Sequence, residues 1–453
     1  MEQNTGLSTN QRIVIATGFV LVIILSSILT FSLSVFIMQL ILGTITLYFC
    51  FITDYKTAKL YLCIFSISLI FVFLVFQANT LYYGEPYYIG GSDDLDFEEL
   101  GQKVYSHGIY NPSKAKEYNI IRKDYIAPAF PVYIAFLIRF AEIFDGYSTY
   151  LPRIANAYYL VWICMIVKYL LARYTRLSDK KIRYSLGFFA FMPNIQYINS
   201  HVFRDTTNLL QVLLIILLFD LLIRKNHYKL KIFGVVCLPF LIYFTYHTRV
   251  NSLLFAGVTI VFIISKVYSI KKRYILTGIL LLLIFTDFAE IIRLRRFIES
   301  YSRYVSNLAG EGLSSYVFNL PMLPLGIFFR ALYALLSPFP SVFGLFEEKS
   351  RILFDIVKSL VNLGVLVQIL FVPFIIRRSL KLDWLSLVFL SWFLSVIVTT
   401  FTFRHFLLFY PFMSALAIDG FVSMTSEKRD TILKLSLFTI VSLGIIYVVL
   451  KMT

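Results

Sequence analysis

Carboxylates are concentrated in one short stretch of this chain. Gly90-Gly91-Ser92-Asp93-Asp94-Leu95-Asp96 runs directly into Phe97-Glu98-Glu99. Asp93, Asp94 and Asp96, packed into one turn, are the candidate catalytic residues. Paired carboxylates can deprotonate a hydroxyl, or hold a divalent cation against a phosphate. The preceding glycines allow a tight turn and close approach of a ligand. The same residues also read as a helix start, with Ser92 or Asp93 capping a helix from Asp94. Cations and histidines recur further on: His201-Val202-Phe203-Arg204-Asp205, His247-Thr248-Arg249, Arg293, Arg295 and Arg296 followed by Arg303, then Arg330, then Arg404-His405. Arginine forks match phosphate oxygens. Each of these groups is a candidate substrate contact. Each also has a plainer role as an interfacial anchor at a helix end.

The elements that must hold these residues follow from composition. The chain has 453 residues, 58% hydrophobic and only 15% charged. That is too little charge to cover a soluble surface of this size. Apolar residues come in long runs: Ile13–Thr30, Phe31–Thr53, Leu60–Phe76, Ile154–Leu171, Leu209–Ile223, Ile232–Tyr246, Ser252–Ile264, Tyr274–Phe285, Ile356–Ile376, Trp384–Phe401, Phe406–Phe421 and Leu433–Leu450. Most approach the ~20 residues a helix needs to cross a bilayer. Lipid forces each backbone polar group to find its partner internally, so the runs must be helical. The expected fold is an all-α polytopic integral membrane protein, with about 11–13 transmembrane helices in a single membrane domain, residues 1–453. The first dozen residues lack the basic region and the cleavage site of a signal peptide. Cys50, Cys63, Cys164 and Cys237 lie in apolar runs without metal-site spacing, as packing residues do.

The net charge of +16 could suggest nucleic acid, but its distribution points to topology. Lys56 and Lys59, the group from Arg173 to Arg183, Arg224 to Lys231, Lys271 to Arg273, Arg377 to Lys381, and Lys428 to Lys434 occupy short connectors. Short basic loops face the cytoplasm. With a cytoplasmic N-terminus, the third span exits near Gln77 and the acidic stretch falls outside. The basic connectors then all fall inside if two apolar segments do not cross. Ile126–Phe144 carries Pro128, Pro131, Arg139 and Glu142 and reads as a juxtamembrane helix on the outer face. Leu320–Phe346 is broken by Pro321, Pro324, Pro338 and Pro340 and reads as re-entrant. The outer face then collects residues 78–144, 201–205, 247–251, 287–350 and 402–405. The inner loops are short and basic, and the outer loops are long and chemically mixed, which places function outside.

Outer carboxylates with outer arginines suit a reaction on a lipid-linked phosphate. A carboxylate would deprotonate the attacking hydroxyl, and arginines would stabilise the departing phosphate. A series of loose motifs gives this reading a direction. After Asp93, Asp94 and Asp96 come His107-Gly108-Ile109-Tyr110, a proline-led amphipathic segment Ala127-Pro128-Ala129-Phe130-Pro131-Val132-Tyr133, then Leu151-Pro152-Arg153, a basic turn, Met192-Pro193-Asn194, and a polar motif ending in Asp205. In that order they resemble the membrane-embedded glycosyltransferases of the GT-C superfamily, over roughly residues 90–222. Two extra spans precede the acidic loop, where the simplest members have one, and the order of Leu-Pro-Arg differs from the family's Arg-Leu-Pro.

The resemblance implies an inverting transfer of a sugar from a polyprenyl-phosphate donor to a glycan or lipid acceptor, in cell-surface polysaccharide synthesis at a bacterial inner membrane. It implies membrane lipids as surroundings and no nucleic-acid partner. Some members need a metal and others do not, so a divalent cation stays open, with Asp94, Asp96 and Asp205 as candidate ligands. The Arg296-to-Gly312 spacing is similar to that of O-antigen and capsule polymerases, whose donor is a polyprenyl diphosphate. A lipid-linked oligosaccharide transporter is the alternative of a different class. It is disfavoured because charges sit at the helix ends rather than at mid-membrane.

Overall fold

The computed structural model describes residues 7–91, 93–123, 125, 127–223, 228–249, 251–270, 317, 320, 325–336, 352–399 and 403–452. Among the described residues there is no strand. Seven helices are long and apolar enough to cross a membrane: α1 (Thr9–Thr30), α2 (Leu33–Phe51), α3 (Tyr55–Tyr83), α7 (Tyr150–Tyr174), α10 (Arg204–Ile223), α11 (Tyr228–Thr248) and Ile352–Ser379. Shorter apolar helices cover Ala129–Ala141 (α6), Ser252–Val267, Ile327–Leu336, Trp384–Thr399 and Tyr410–Val422. The apolar runs therefore form helices wherever they are described, and the chain has the helices of a membrane protein. The run Tyr274–Phe285 lies outside the described residues.

Local chemistry sets the helix ends. Ser8 and Gln11 form a capping box at the start of α1. Asp54 caps α3, accepting from the Thr57 amide at 3.0 Å and its hydroxyl at 2.6 Å. Gly84, at φ 86°, ends α3 in the left-handed conformation that glycine tolerates.

The chain divides into two compact units. The first contains residues 1–170, 186–256 and 342–361. Its helices alternate in direction, as their contacts show. The Tyr158 hydroxyl of α7 meets the Gln39 carbonyl of α2, and Trp162 meets Thr46, so these two helices run parallel. Against α3 the order reverses. Tyr150 at the start of α7 stacks on Phe76 near the end of α3, and Lys168 reaches back to Asp54 at 3.3 Å. The chain thus leaves α3 and enters α7 at the same end of this antiparallel pair. Residues 84–149 between them make no net crossing. The α1–α2 turn joins that end too, because the Asp145 carboxylate accepts from the Leu33 and Ser34 amides. Those bonds hold the Asp145 carboxyl below its ordinary value, against the slight upward push of burial.

The 84–149 excursion contains three helices: α4 (Asp93–Ser106), α5 (Pro112–Glu117) and α6. With 13 residues, α6 is ~20 Å long, well short of a ~30 Å hydrocarbon core. It lies against α4 through Phe97, Phe130, Ile134 and Ile138. Gly101 allows this approach: a Cβ there would sit 2.5 Å from Ile134 Cγ2.

In the second unit, residues 171–185, 257–341 and 362–453, some of the basic residues have acidic partners. Arg378 and Lys181 both bind Asp419, and Arg378 also binds Asp383 at 2.6 Å. By sequence these cations are mostly a topology signal. They also tie helix ends together, because buried charge must be matched. Arg330 is buried in Ile327–Leu336, the described part of the proline-broken segment. His405 is buried and Arg404 half-buried in the 3₁₀ turn Phe403–Leu408.

The tight α4–α6 approach makes a specific expectation. Gly101→Val should lower stability by ~1–3 kcal/mol through overpacking. Ile134→Ala in the same chain should recover part of the loss. Thermal melts of the two variants in detergent check this, and a Gly101→Val protein as stable as the parent contradicts the packing described.

Candidate functional site

The site begins at the turn after α3. Residues Tyr88–Gly90 form one 3₁₀ turn, and Ile89, Gly90 and Gly91 all have positive φ, at 50°, 71° and 120°. Glycine accepts this readily, but a β-branched residue does so only under strain. The turn aims the Tyr88 amide at the Asp94 carboxylate, 2.9 Å away. It then delivers the chain into α4, whose first turn carries Asp93, Asp94 and Asp96. Ser92 lies outside the described residues, and the helix begins at Asp93. Carboxylates at a helix N-terminus are favoured by the helix dipole.

Helical spacing separates the acids. Asp94, Phe97, Glu98, Gly101 and Val104 form the buried face of α4, and Asp96 and Glu99 face outward. Asp94 is fully enclosed, with 0% exposure. Beside the Tyr88 amide it meets His201 Nδ1 at 3.6 Å. The His201 ring is packed among Tyr88, Tyr197 and Phe203, and its backbone carbonyl accepts from Asn156. Burial alone would push the Asp94 carboxyl up. The His201 ring, the Tyr88 amide and the charge of Arg153 outweigh it and hold the carboxyl below its ordinary value. Among the described residues, Oδ1 of Asp94 has no hydrogen-bond partner. Glu98 is fully satisfied by contrast. It accepts from the hydroxyls of Tyr87 at 2.7 Å, Tyr147 at 2.9 Å and Thr149 at 2.5 Å, which pins α4 to the chain on either side.

Above this enclosed layer lies an accessible one. Asp96 is exposed and Asp93 half-buried. Partial burial and repulsion from Asp93 and Glu99 push the Asp96 carboxyl up, and Arg122 offsets only part of this. Tyr125 lies in the same field. Burial and the charges of Asp93 and Asp96 push its hydroxyl up, those of Arg204 and Arg122 pull it down, and the balance lies at about 12. Arg204 lies over the Phe97 ring of α4 at 5.9 Å. One small region therefore presents two carboxylates and two guanidinium groups. Such a set can take a proton from a hydroxyl and offer cations to a phosphate.

The remaining sequence candidates sort by position. Asp205, at the start of α10, is buried and paired with Arg249 at the end of α11, 3.3 Å away. That pair returns α11 to the same end of the unit as Asp94 and His201. His247 contacts Ser113 of α5 at 3.2 Å, and Tyr243 meets the same serine at 3.0 Å, so both latch α5 onto α11. Asp94, Asp205 and Asp96 differ in burial and in partners, and among the described residues no group of three His, Cys, Asp or Glu side chains could hold a metal ion. Arg293, Arg295 and Arg296 lie outside the described residues. Arg330, Arg404 and His405 belong to the second unit.

Sequence reasoning left Arg153 among the motifs and out of the candidate site, and it did not single out Tyr88, Asn156 or Arg122. Arg153 carried a usable signal. An ionisable residue at the very head of a long apolar run is costly enough to need a reason. Tyr88 carried none, since it acts through its backbone amide.

Comparison with known proteins returns no match among family models, curated proteins or solved structures.

A folded-state carboxyl held below its unfolded value adds stability that is complete above about pH 4 and is lost as pH falls through the folded value. Asp94→Asn should therefore cost ~3 kcal/mol near neutral pH and remove this part of the acid dependence. Thermal melts across a pH series test it. Unchanged melting at neutral pH would mean that Asp94 is not held by His201 and Tyr88.

Proposed function

We propose that the chain is a membrane glycosyltransferase. It moves a sugar from a polyprenyl-phosphate donor to a hydroxyl of a glycan or lipid acceptor, at the non-cytoplasmic face of a bacterial inner membrane. One observation carries this reading. The acidic turn of α4, Arg122, and the His201–Asp205 and His247–Arg249 segments meet at one end of a helical unit able to span a membrane. That end is opposite the Asp54–Lys168 pair, which marks the end carrying the short Lys56–Lys59 connector. The positive-inside rule then favours an outward-facing site. The sequence resemblance to GT-C enzymes supports the same direction.

Access assigns the roles. Asp94 is enclosed and cannot reach a substrate in this conformation, so it supports the turn. Asp96 is exposed, on the same turn, with its carboxyl raised toward the working range of a general base. In the reaction an Asp96 oxygen takes the proton from the acceptor hydroxyl. The freed oxygen attacks the anomeric carbon from the face opposite the phosphate. The carbon–phosphate-oxygen bond breaks, and polyprenyl phosphate departs with both bonding electrons. Arg204 and Arg122 meet its growing negative charge. The anomeric centre inverts.

The test uses purified protein in nanodiscs with polyprenyl-phosphate sugars and an acceptor panel, read by mass spectrometry of the lipid. Release of polyprenyl monophosphate is expected, and Asp96→Asn should reduce its rate about 10²–10⁴-fold with little change in KM. The rate should fall on acidification, with a midpoint above that of an ordinary aspartate, because the base must be ionised. Release of diphosphate with longer glycans would instead indicate a repeat-unit polymerase. No lipid product from any donor would indicate a transporter. Wild-type rates in Asp96→Asn would remove the base from this aspartate.

A further inference from the structure

The enclosed layer beneath the acidic turn is organised around a cation that the mechanism above does not use. Arg153 is the fourth residue of α7 and is fully buried, with 0% exposure. Its guanidinium donates to two backbone carbonyls far apart in sequence, Pro86 at 2.7 Å and Ser200 at 3.0 Å. Phe76 and Tyr87 lie against it at 5.6 and 6.0 Å. Two residues beyond Pro86 is Tyr88, whose amide holds Asp94. One residue beyond Ser200 is His201, whose ring also holds Asp94. The contacts close into a ring: Arg153 to Pro86, Tyr88 to Asp94, Asp94 to His201, and Ser200 back to Arg153. Asp94 is the member of that ring that belongs to α4, and Asp93 and Asp96 share its helical turn.

From this ring we infer that Arg153 is a positioning residue for the acidic turn. Its two-pronged guanidinium fixes the 84–91 turn and the 199–203 segment against α7, and through Asp94 it fixes where Asp96 points. The inference rests on the transferase reading for its effect on rate, but not for its effect on the two segments. A role in stability alone explains Arg153 less well. Among the described residues its buried Nε–H has no hydrogen-bond partner, a cost that a methionine of similar length would avoid. Both carbonyls it serves belong to irregular backbone on either side of the site, where a fork can hold two strands of chain at once. A lysine brings the same charge but cannot span both carbonyls in one plane.

The test compares Arg153→Met and Arg153→Lys in the full chain, in nanodiscs, by hydrogen–deuterium exchange and by steady-state kinetics. In both variants, exchange should rise together in peptides covering 84–91 and 199–203, and stay unchanged in α1 and α2. kcat should fall about 10²-fold, the scale of a misplacement of about 1 Å, with donor KM within about twofold. Arg153→Lys should melt closer to the parent than Arg153→Met yet recover little of kcat. Full recovery of kcat by lysine overturns the inference, since charge alone would then suffice. So does faster exchange in only one of the two segments. Should Arg153→Met fail to fold, Arg153→Lys alone carries both readouts. The two failures are distinguishable. If both segments loosen but the parent shows no glycosyl transfer, the transferase reading fails and the tie stands. If transfer depends on Asp96 but neither segment loosens, the tie fails and the transferase reading stands.

Discussion

Desolvation is the constraint on which the first unit depends. A helical unit built from apolar spans can enclose a charge only if other groups meet it, because a buried unmatched ion costs several kcal/mol. Asp94, Glu98 and Arg153 are all enclosed, and each is met in a different way. Three hydroxyls meet Glu98. A ring and an amide meet Asp94. Two carbonyls and two aromatic faces meet Arg153. Tyr87 links two of these arrangements, with its hydroxyl on Glu98 and its ring under Arg153. Matching these charges brings four separate stretches of chain to one place: the turn after α3, the start of α4, the start of α7, and the segment before α10.

That convergence accounts for the division of labour within one helical turn. Spacing along α4 turns Asp94 and Glu98 inward and Asp96 outward. The inward acids are tied to their surroundings. The outward acid is left in a field of like charges that raises its affinity for protons. One turn thus supplies both the anchor and an accessible carboxylate, and the rigidity of the first orients the second. The strain at Ile89 fits this picture, since strained backbone persists where surrounding contacts over-determine it.

The membrane class and most helix positions were legible in the sequence, because apolar runs have only one stable form in lipid. The non-crossing character of 126–144 was legible from its prolines and charges. What fixes it in the structure is the antiparallel pairing of α3 and α7, which no local pattern reveals. The clustering of carboxylates in the acidic stretch was legible. Its internal ranking was not, because Asp94 and Asp96 differ only in which face of α4 they occupy. That face was readable in principle, since Asp94, Phe97, Gly101 and Val104 follow helical spacing, but the stretch was read as a loop with only a short helix. The meeting of Asp94 with His201 spans over a hundred residues and depends on folding. Arg249, a candidate substrate contact at a helix end by sequence, pairs with Asp205 in the structure, a partner that sequence spacing could not name.

The central claim is that the end of the unit bearing Asp96 faces away from the cytoplasm. Membrane-impermeant thiol labelling in intact cells tests it most directly, with Glu99→Cys reporting on the acidic turn and Lys56→Cys on the opposite end. Labelling of Glu99→Cys in intact cells, with Lys56→Cys labelled only after permeabilisation, is the expected result. The reverse pattern would place the carboxylates in the cytoplasm and contradict transfer at the outer face.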